Sequence, residues 1–213
     1  MKGEYYILII QKKIREVDLI FETGNYFFSR NSIDKGTLLM LNMVDVNEND
    51  KVLDLGCGYG VVGIYIAKKI GGENVVMSDI LNEAISLTRK NIELNDVRNC
   101  RVIKSNGLKS IDDDDFTLIL SNPPYHTDFS VAKSFIEDGF KKLKIGGKMI
   151  MVTKRLEWYK NKIQTVFGGV KVYEIEDYYI FVGEKRMKYV KKKKKKKNRG
   201  GLSKKLNRKY SKK

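Results

Sequence analysis

From about residue 50 onward, short apolar runs alternate with longer stretches whose apolar side chains recur every three or four positions. "KVLDLG" (51–56) reads as a buried strand that ends in glycines, and Val61 to Ile70 carries a helical pattern. "NVVMSD" (74–79) predicts a second strand, Asn82–Leu94 a helix, and "CRVIKS" (100–105) a third strand. "FTLILSN" (116–122) is the fourth, followed by a helix near Phe129–Leu143 with Phe135, Ile136, Phe140 and Leu143 on one face. "KMIMVTK" (148–154), a helix near Leu156–Phe167, and the runs "VKVYEIE" and "YYIFVGE" complete the series. This alternation predicts an α/β fold, a doubly wound, mostly parallel sheet with helices on both faces. Upstream, "YYILII" and "VDLIFE" read as a β-hairpin and "SIDKGTLLMLNMV" as a helix entering the first parallel strand. The pattern divides the chain into a hairpin-and-helix extension (1–45), an α/β domain (46–187) and a tail (188–213).

The tail changes the picture most. Residues 188–213 hold 15 lysines and arginines and no acid, so a net charge of +16 for the 213-residue chain falls to about +1 for the rest. Like-charge blocks with almost nothing to bury repel one another and stay disordered. Such a run, which includes Lys191, Lys192 and Lys193, suits a polyanion, because binding releases counterions from phosphates. No amphipathic helix or lipidation signal accompanies it, which favours nucleic acid over a membrane. Cys57 and Cys100 form no disulfide framework and no metal spacing, so a reducing, cytoplasmic setting is expected and no metal. No apolar run nears the roughly 20 residues that span a bilayer. Oligomeric state is not legible.

"VLDLGCGYGVVG" places Gly56, Gly58, Gly60 and Gly63 between a strand and a helix. Glycines there permit a tight turn and close approach of a ligand to the backbone. "GYGVVG" matches G-x-G-x-x-G, and Asp79 lies near the distance of a ribose-binding acid, so a nicotinamide enzyme competes at this point. Asp54, two residues before the first glycine, favours a different nucleoside. A carboxylate at that place would repel a pyrophosphate but suits a ligand carrying an amino group and a sulfonium. Its simpler role would be to tie down its own loop.

Taken together, "VLDLGCGYGVVGI", "SDI" and "SNPPY", in that order and spacing, resemble a class I S-adenosylmethionine-dependent methyltransferase, and within that class the methyltransferase small-domain family. That family includes enzymes resembling the ribosomal RNA guanine-N2 methyltransferases. The resemblance covers residues 20–185, including "GNYFFSRNSIDKGT", whose Phe28, Ser29, Asp34, Gly36 and Thr37 match the family's segment ahead of the glycine loop. It implies a Rossmann-like seven-stranded sheet in the order 3-2-1-4-5-7-6 with strand 7 antiparallel. It also implies S-adenosyl-L-methionine as cofactor, held by Asp54, Gly56, Cys57, Gly58, Gly60, Asp79, Ile80, Asn106 and Asn122 with Phe28 and Thr37. Two departures stand out: well-known members carry a second, amino-terminal copy of the fold, and Asn106 occupies a place where many class I enzymes have an acid near the adenine. Asn106 can still accept from an adenine amine through its carbonyl.

"SNPPYH" leaves the fourth strand beside the glycine loop, where ligands bind in such sheets. It holds both prolines of the chain and its one histidine. A residue before proline is pushed into an extended conformation, and proline has no N–H. Asn122, Pro123 and Pro124 therefore make a stiff segment of acceptors, suited to a substrate that donates: an exocyclic –NH2. Tyr125 adds a face for a planar base, worth about 1–3 kcal/mol on an aromatic. His126 could touch a phosphate or help remove a proton, and Lys154, at the end of the fifth strand, could contact substrate. A general base is not essential, since methylation acidifies the amine. Trp158 reads as core or helix surface, while Tyr189 and Tyr210 could stack beside the tail's lysines.

The NPPY chemistry serves guanine N2, adenine N6, cytosine N4 and a glutamine amide alike. The resemblance and the tail favour RNA, and ribosomal RNA guanine within it. A protein glutamine N5-methyltransferase and a non-catalytic RNA-binding or ribosome-assembly factor remain open alternatives.

Overall fold

A computed structural model describes residues 8–24, 32–124 and 129–187. The basic tail, with Lys191, Lys192, Lys193, Tyr189 and Tyr210, lies outside them, as do Phe28, Ser29, Tyr125 and His126. In chain order the elements are β1 (Leu8–Ile14), β2 (Val17–Thr23), α1 (Lys35–Met43), β3 (Val52–Leu55), α2 (Val61–Ile70), β4 (Val75–Asp79) and α3 (Asn82–Leu94). Then follow β5 (Arg101–Lys104), β6 (Phe116–Ser121), α4 (Phe129–Lys142), β7 (Leu143–Thr153), α5 (Leu156–Phe167), β8 (Lys171–Ile175) and β9 (Tyr178–Glu184). Seven strands form one sheet in the order β5-β4-β3-β6-β7-β9-β8. β9 runs antiparallel to both its neighbours, and the pairs among the other five strands through β7 are parallel. Numbered from β3, this is the 3-2-1-4-5-7-6 order with an antiparallel seventh strand that the resemblance implied.

Two cores lie on the two faces of the sheet. One joins Val52, Val75, Met77, Leu118 and Leu120 to Ile64, Tyr65, Met40 and the hairpin's Leu19 and Phe21. The other joins Leu53, Leu55, Val76, Ile119 and Met149 to Phe135, Ile136 and Phe140 of α4 and Tyr159 and Ile163 of α5. Alternate residues of β3 and β4 thus face opposite cores, and both strands are fully buried except at Asp79. Among the described residues no helix is long and apolar enough to cross a membrane.

The hairpin is docked by hydrogen bonds as well as packing. Asn91 and Asn95, four apart on α3, present their carboxamides to the outer edge of β2. Asn95 accepts from the Ile20 N–H (3.0 Å) and donates to its carbonyl (2.6 Å). Asn91 does the same for Glu22 (2.7 and 3.0 Å). Two side chains therefore stand in for a neighbouring strand and cover an edge that would otherwise be open.

One expectation needs correction. The fifth strand begins at Leu143 rather than 148, directly at the end of α4, with a register irregularity against β6 between Phe116 and Leu118. "LKIGG" ends in two glycines, the first at φ +83°, which break a strand's pattern, and its early pairing depends on that bulge. The acidic run at 112–115 fastens the approach to β6 by ion pairs: Asp113 pairs with Lys51 (3.0 Å) and Arg101, and Asp114 with Lys142 (3.0 Å).

Candidate active site

A cavity of about 440 Å³ opens at the carboxyl ends of β3, β4, β5 and β6. Its floor is the glycine loop, in which Gly56 (φ +77°), Gly58 (φ +56°) and Gly60 (φ +95°) take left-handed conformations that side chains resist. The turn is fixed from β4: the Gly56 and Cys57 N–H groups donate to the Ser78 carbonyl (2.8 and 2.9 Å), and the Gly58 N–H donates to Asp79 Oδ2 (3.0 Å). Asp79 Oδ1 accepts from the Leu81 N–H (3.0 Å). Each oxygen of this carboxylate keeps further lone-pair capacity toward the cavity it lines.

Gly63 answers to space rather than to backbone angle. A Cβ there would collide with the Cγ and Sδ of fully buried Met77 and come within 3.3 Å of Asp54 Oδ2. Gly63→Ala is expected to lower stability by about 1–3 kcal/mol, measured by denaturant unfolding. A wild-type midpoint would mean that α2 shifts freely against β4.

Asp54 is 2% exposed, and its Oδ2 accepts from the Gly63 N–H (2.9 Å) at the start of α2. It does tie down its loop, and it also lines the cavity. Burial pushes its carboxyl up to about 7, opposed by the Gly63 N–H and reinforced by Asp79. A cation entering beside it would reverse that shift. Cys57 is buried with its Sγ 3.7 Å from Thr88 Oγ1, and burial first, then the two aspartates, raise its thiol far out of the reactive range.

Asn122 ends β6 on the opposite wall. Its Nδ2 donates to Asp34 Oδ1 (2.7 Å) and Thr37 Oγ1 (2.8 Å). Only the nitrogen end of a carboxamide can face a carboxylate, so the pair fixes which way the amide points. Asp34 is also the N-cap of α1, accepting from the Thr37 N–H (3.0 Å). Gly36 lets α1 lie this close to the sheet, since a Cβ there would meet the Tyr178 ring at 2.7 Å. Pro123 is buried and Pro124 exposed, and both line the cavity with Asn122.

The cavity therefore brings together Asp54, Gly56, Cys57, Gly58, Asp79, Ile80, Asn106, Asn122, Pro123, Pro124 and Thr37. Gly60 shapes the loop as the N-cap of α2 without lining the cavity. Lys154 does not line it either: its ammonium pairs with Asp177 and lies 4.6 Å from the centre of the Tyr178 ring. Two contributors escaped the sequence reading. Asp34 was matched but given no role, although D-x-x-T is a helix-capping pattern. Ser78, beside the cavity, keeps its Oγ buried without a hydrogen-bond partner among the described residues. A cradle with two carboxylates and a tight glycine loop fits a cationic nucleoside; the exposed Ile80 and Leu81 give its rim apolar surface to bury.

Ribosomal RNA small subunit methyltransferase C of Pseudoalteromonas atlantica is 34% identical over 148 residues, 68% of this chain and 43% of that protein. Ribosomal RNA large subunit methyltransferase G of Klebsiella pneumoniae is 31% identical over 149 residues, 67% of this chain and 40% of that protein. The chain thus spans less than half the length of these two relatives. It matches YbxB of Bacillus subtilis, at 27% identity, over 82% of its own length and 90% of the other's. Among solved structures, the T. thermophilus 16S rRNA N2 methyltransferase RsmC, in complex with AdoMet and guanosine, superposes with a TM-score of 0.77 at 24% identity, over 84% of this chain and 51% of that one. With residues 18–182 matching its model, the chain belongs to the methyltransferase small domain family.

Proposed function

We propose that the protein is an S-adenosylmethionine-dependent N-methyltransferase that acts on an exocyclic amino group of RNA, guanine N2 of ribosomal RNA being the favoured target. The observation that carries this reading is the Asn122 amide, pinned through its nitrogen by Asp34 and Thr37 at the mouth of the glycine-loop cavity. The relatives named as ribosomal RNA methyltransferases support RNA as the substrate class.

Bound S-adenosylmethionine would supply an electrophilic methyl on a sulfonium. Asp54 and Asp79 provide negative charge and hydrogen-bond acceptors for its amino acid and ribose portions, and Asn106 with Gly107 the polar edge near its base. Asn122 and the carbonyls of the proline segment accept from the two hydrogens of the incoming –NH2, which aims the nitrogen lone pair into the cavity. With the methyl passed from sulfur to nitrogen, the surplus proton would leave to solvent, because the methylated ammonium is acidic. Tyr125 is the proposed stacking face for the base, which must be flipped out of any helix to reach it.

The test is transfer of labelled methyl from S-adenosylmethionine to RNA from cells lacking the protein, with the labelled nucleosides identified after digestion. N2-methylguanosine is expected. Label in another base would keep the amine chemistry and overturn the target, and label on protein alone would overturn the RNA assignment.

The tail has its own test. Deleting residues 188–213 is expected to raise the KM for RNA and flatten its salt dependence, since each phosphate contact on a single strand contributes about −0.7 to the log–log slope. Six contacts would account for a change near −4. An unchanged slope would remove RNA binding from the tail's role.

A further inference from the structure

β6 and β7 are parallel neighbours, so the segments leaving their carboxyl ends emerge side by side, the first of them lining the cavity through Pro123 and Pro124. One leads through Pro124 to Phe129, the first residue of α4; the other passes through Lys154 and Arg155 into α5. α4 also lines the cavity through Val131 and Phe135. At this junction the Phe129 ring stacks on Trp158, with centroids 4.3 Å apart and planes 17° from parallel. The Arg155 guanidinium carbon lies 5.0 Å from the centre of the same ring.

Packing explains only half of this cluster. Trp158 meets Tyr159 edge-on at 5.1 Å and is half-buried against the α4–α5 core, which accounts for its inner side. It does not account for the 37% of Phe129 left exposed in the first turn of a helix, although that ring also meets Tyr159 edge-on at 6.4 Å. Nor does it account for Arg155, which is exposed and joins none of the ion pairs among the described residues. Its neighbours are paired: Lys154 with Asp177, and Lys162 with Glu137. A guanidinium outside every ion pair among the described residues, laid on a partly exposed pair of stacked rings, offers planar surface and positive charge together. That combination matches a nucleotide, whose base stacks while its phosphate meets the cation.

We propose that Arg155, Phe129 and Trp158 form a stacking subsite for a nucleotide adjacent to the target base in single-stranded RNA. The inference rests on the RNA reading above. The subsite holds the strand while the target base enters the cavity, so it acts on RNA affinity and leaves the methyl-transfer step to the cavity.

The chain has a single tryptophan, so its fluorescence reports this position directly. We expect a short single-stranded oligoribonucleotide, titrated into the full chain at about 0.3 M salt to screen the tail, to quench Trp158 saturably. Phe129→Leu keeps apolar bulk without the ring, and Arg155→Lys keeps charge without the plane. Each should raise the KM for RNA about five- to a hundred-fold, the span of a lost base stack, with kcat at saturating RNA and the melting temperature close to wild type. Variants that match wild type in KM while RNA is methylated normally would overturn the subsite and leave the RNA reading intact, as would methylation with no change in fluorescence. If no RNA is methylated and a glutamine-containing peptide quenches Trp158 instead, the RNA reading itself fails, and the subsite's ligand with it.

Discussion

Asn122→Ala should lower kcat for methyl transfer by about a hundred-fold or more while the Kd for S-adenosylmethionine moves less than about threefold. The asymmetry follows from what Asn122 touches. Its nitrogen is committed to Asp34 and Thr37 across 88 and 85 residues of sequence, and the cofactor cradle of Asp54, Asp79 and the glycine loop is built from other groups. Removing the carboxamide leaves the cradle standing and takes away an acceptor that orients the amine. Misplacing a reacting nitrogen by about 1 Å costs on that scale. Asp34→Ala should reproduce much of the loss by freeing the amide to rotate, and should in addition cost roughly 0.5–2 kcal/mol of stability as a lost N-cap. The double variant Asn122→Ala with Asp34→Ala should then be little slower than Asn122→Ala alone, because the two act as one unit. Additive losses in kcat would show that Asp34 serves the reaction by another route. An equal fall in cofactor affinity and kcat would make Asn122 a structural residue of the cavity wall.

The pieces of this site differ in how openly the sequence displays them. The glycine loop, Asp54 and Asp79 lie within one strand–turn–helix–strand unit, so local spacing reveals them. The helices Val61–Ile70, Asn82–Leu94 and Leu156–Phe167 begin and end where their apolar periodicity does. Strand order came only with the resemblance, since periodicity says nothing about which strands are neighbours. What periodicity and spacing hide is side chains acting at a distance. Asn91 and Asn95 look like two polar residues near a helix end, yet they serve as the missing neighbour of β2. Asp34 caps α1 within a local D-x-x-T pattern, but its second partner is visible only once α1 and the end of β6 are brought together. Ser78 is an ordinary strand serine until its neighbours are known to leave its hydroxyl unmatched. The early start of β7 depends on a bulge against β6, a property of the pair of strands. Tertiary partners decide each of these features, and none of them leaves a periodic trace.

Asp54→Asn should make the cofactor-free protein more stable at pH 8 while weakening cofactor binding, and the two effects share one cause. An aspartate in an unfolded chain titrates near 3.8, whereas burial holds Asp54 up at about 7 in the fold. Between those values the native state keeps a proton that the unfolded state has released, so wild-type stability falls as pH rises through that window and levels off above it. The full effect is on the order of 4 kcal/mol. Asparagine keeps an oxygen for the Gly63 N–H and has nothing to ionise, so the variant escapes this loss. Thermal unfolding should therefore show the two proteins close together near pH 4 and the variant ahead at pH 8. Binding runs the opposite way. A cationic ligand favours the ionised carboxylate, so below pH 7 its binding expels the proton, and wild-type affinity should climb about tenfold per pH unit up to 7 and then flatten. In Asp54→Asn the affinity should be flat across this range and lower at pH 8 by on the order of a hundred-fold. S-adenosylhomocysteine, which keeps the ammonium and lacks the sulfonium, tells which charge Asp54 meets: the same pH slope assigns the ammonium, and a flat profile assigns the sulfonium. A variant that binds like wild type at pH 8 would reduce Asp54 to a tie between β3 and α2.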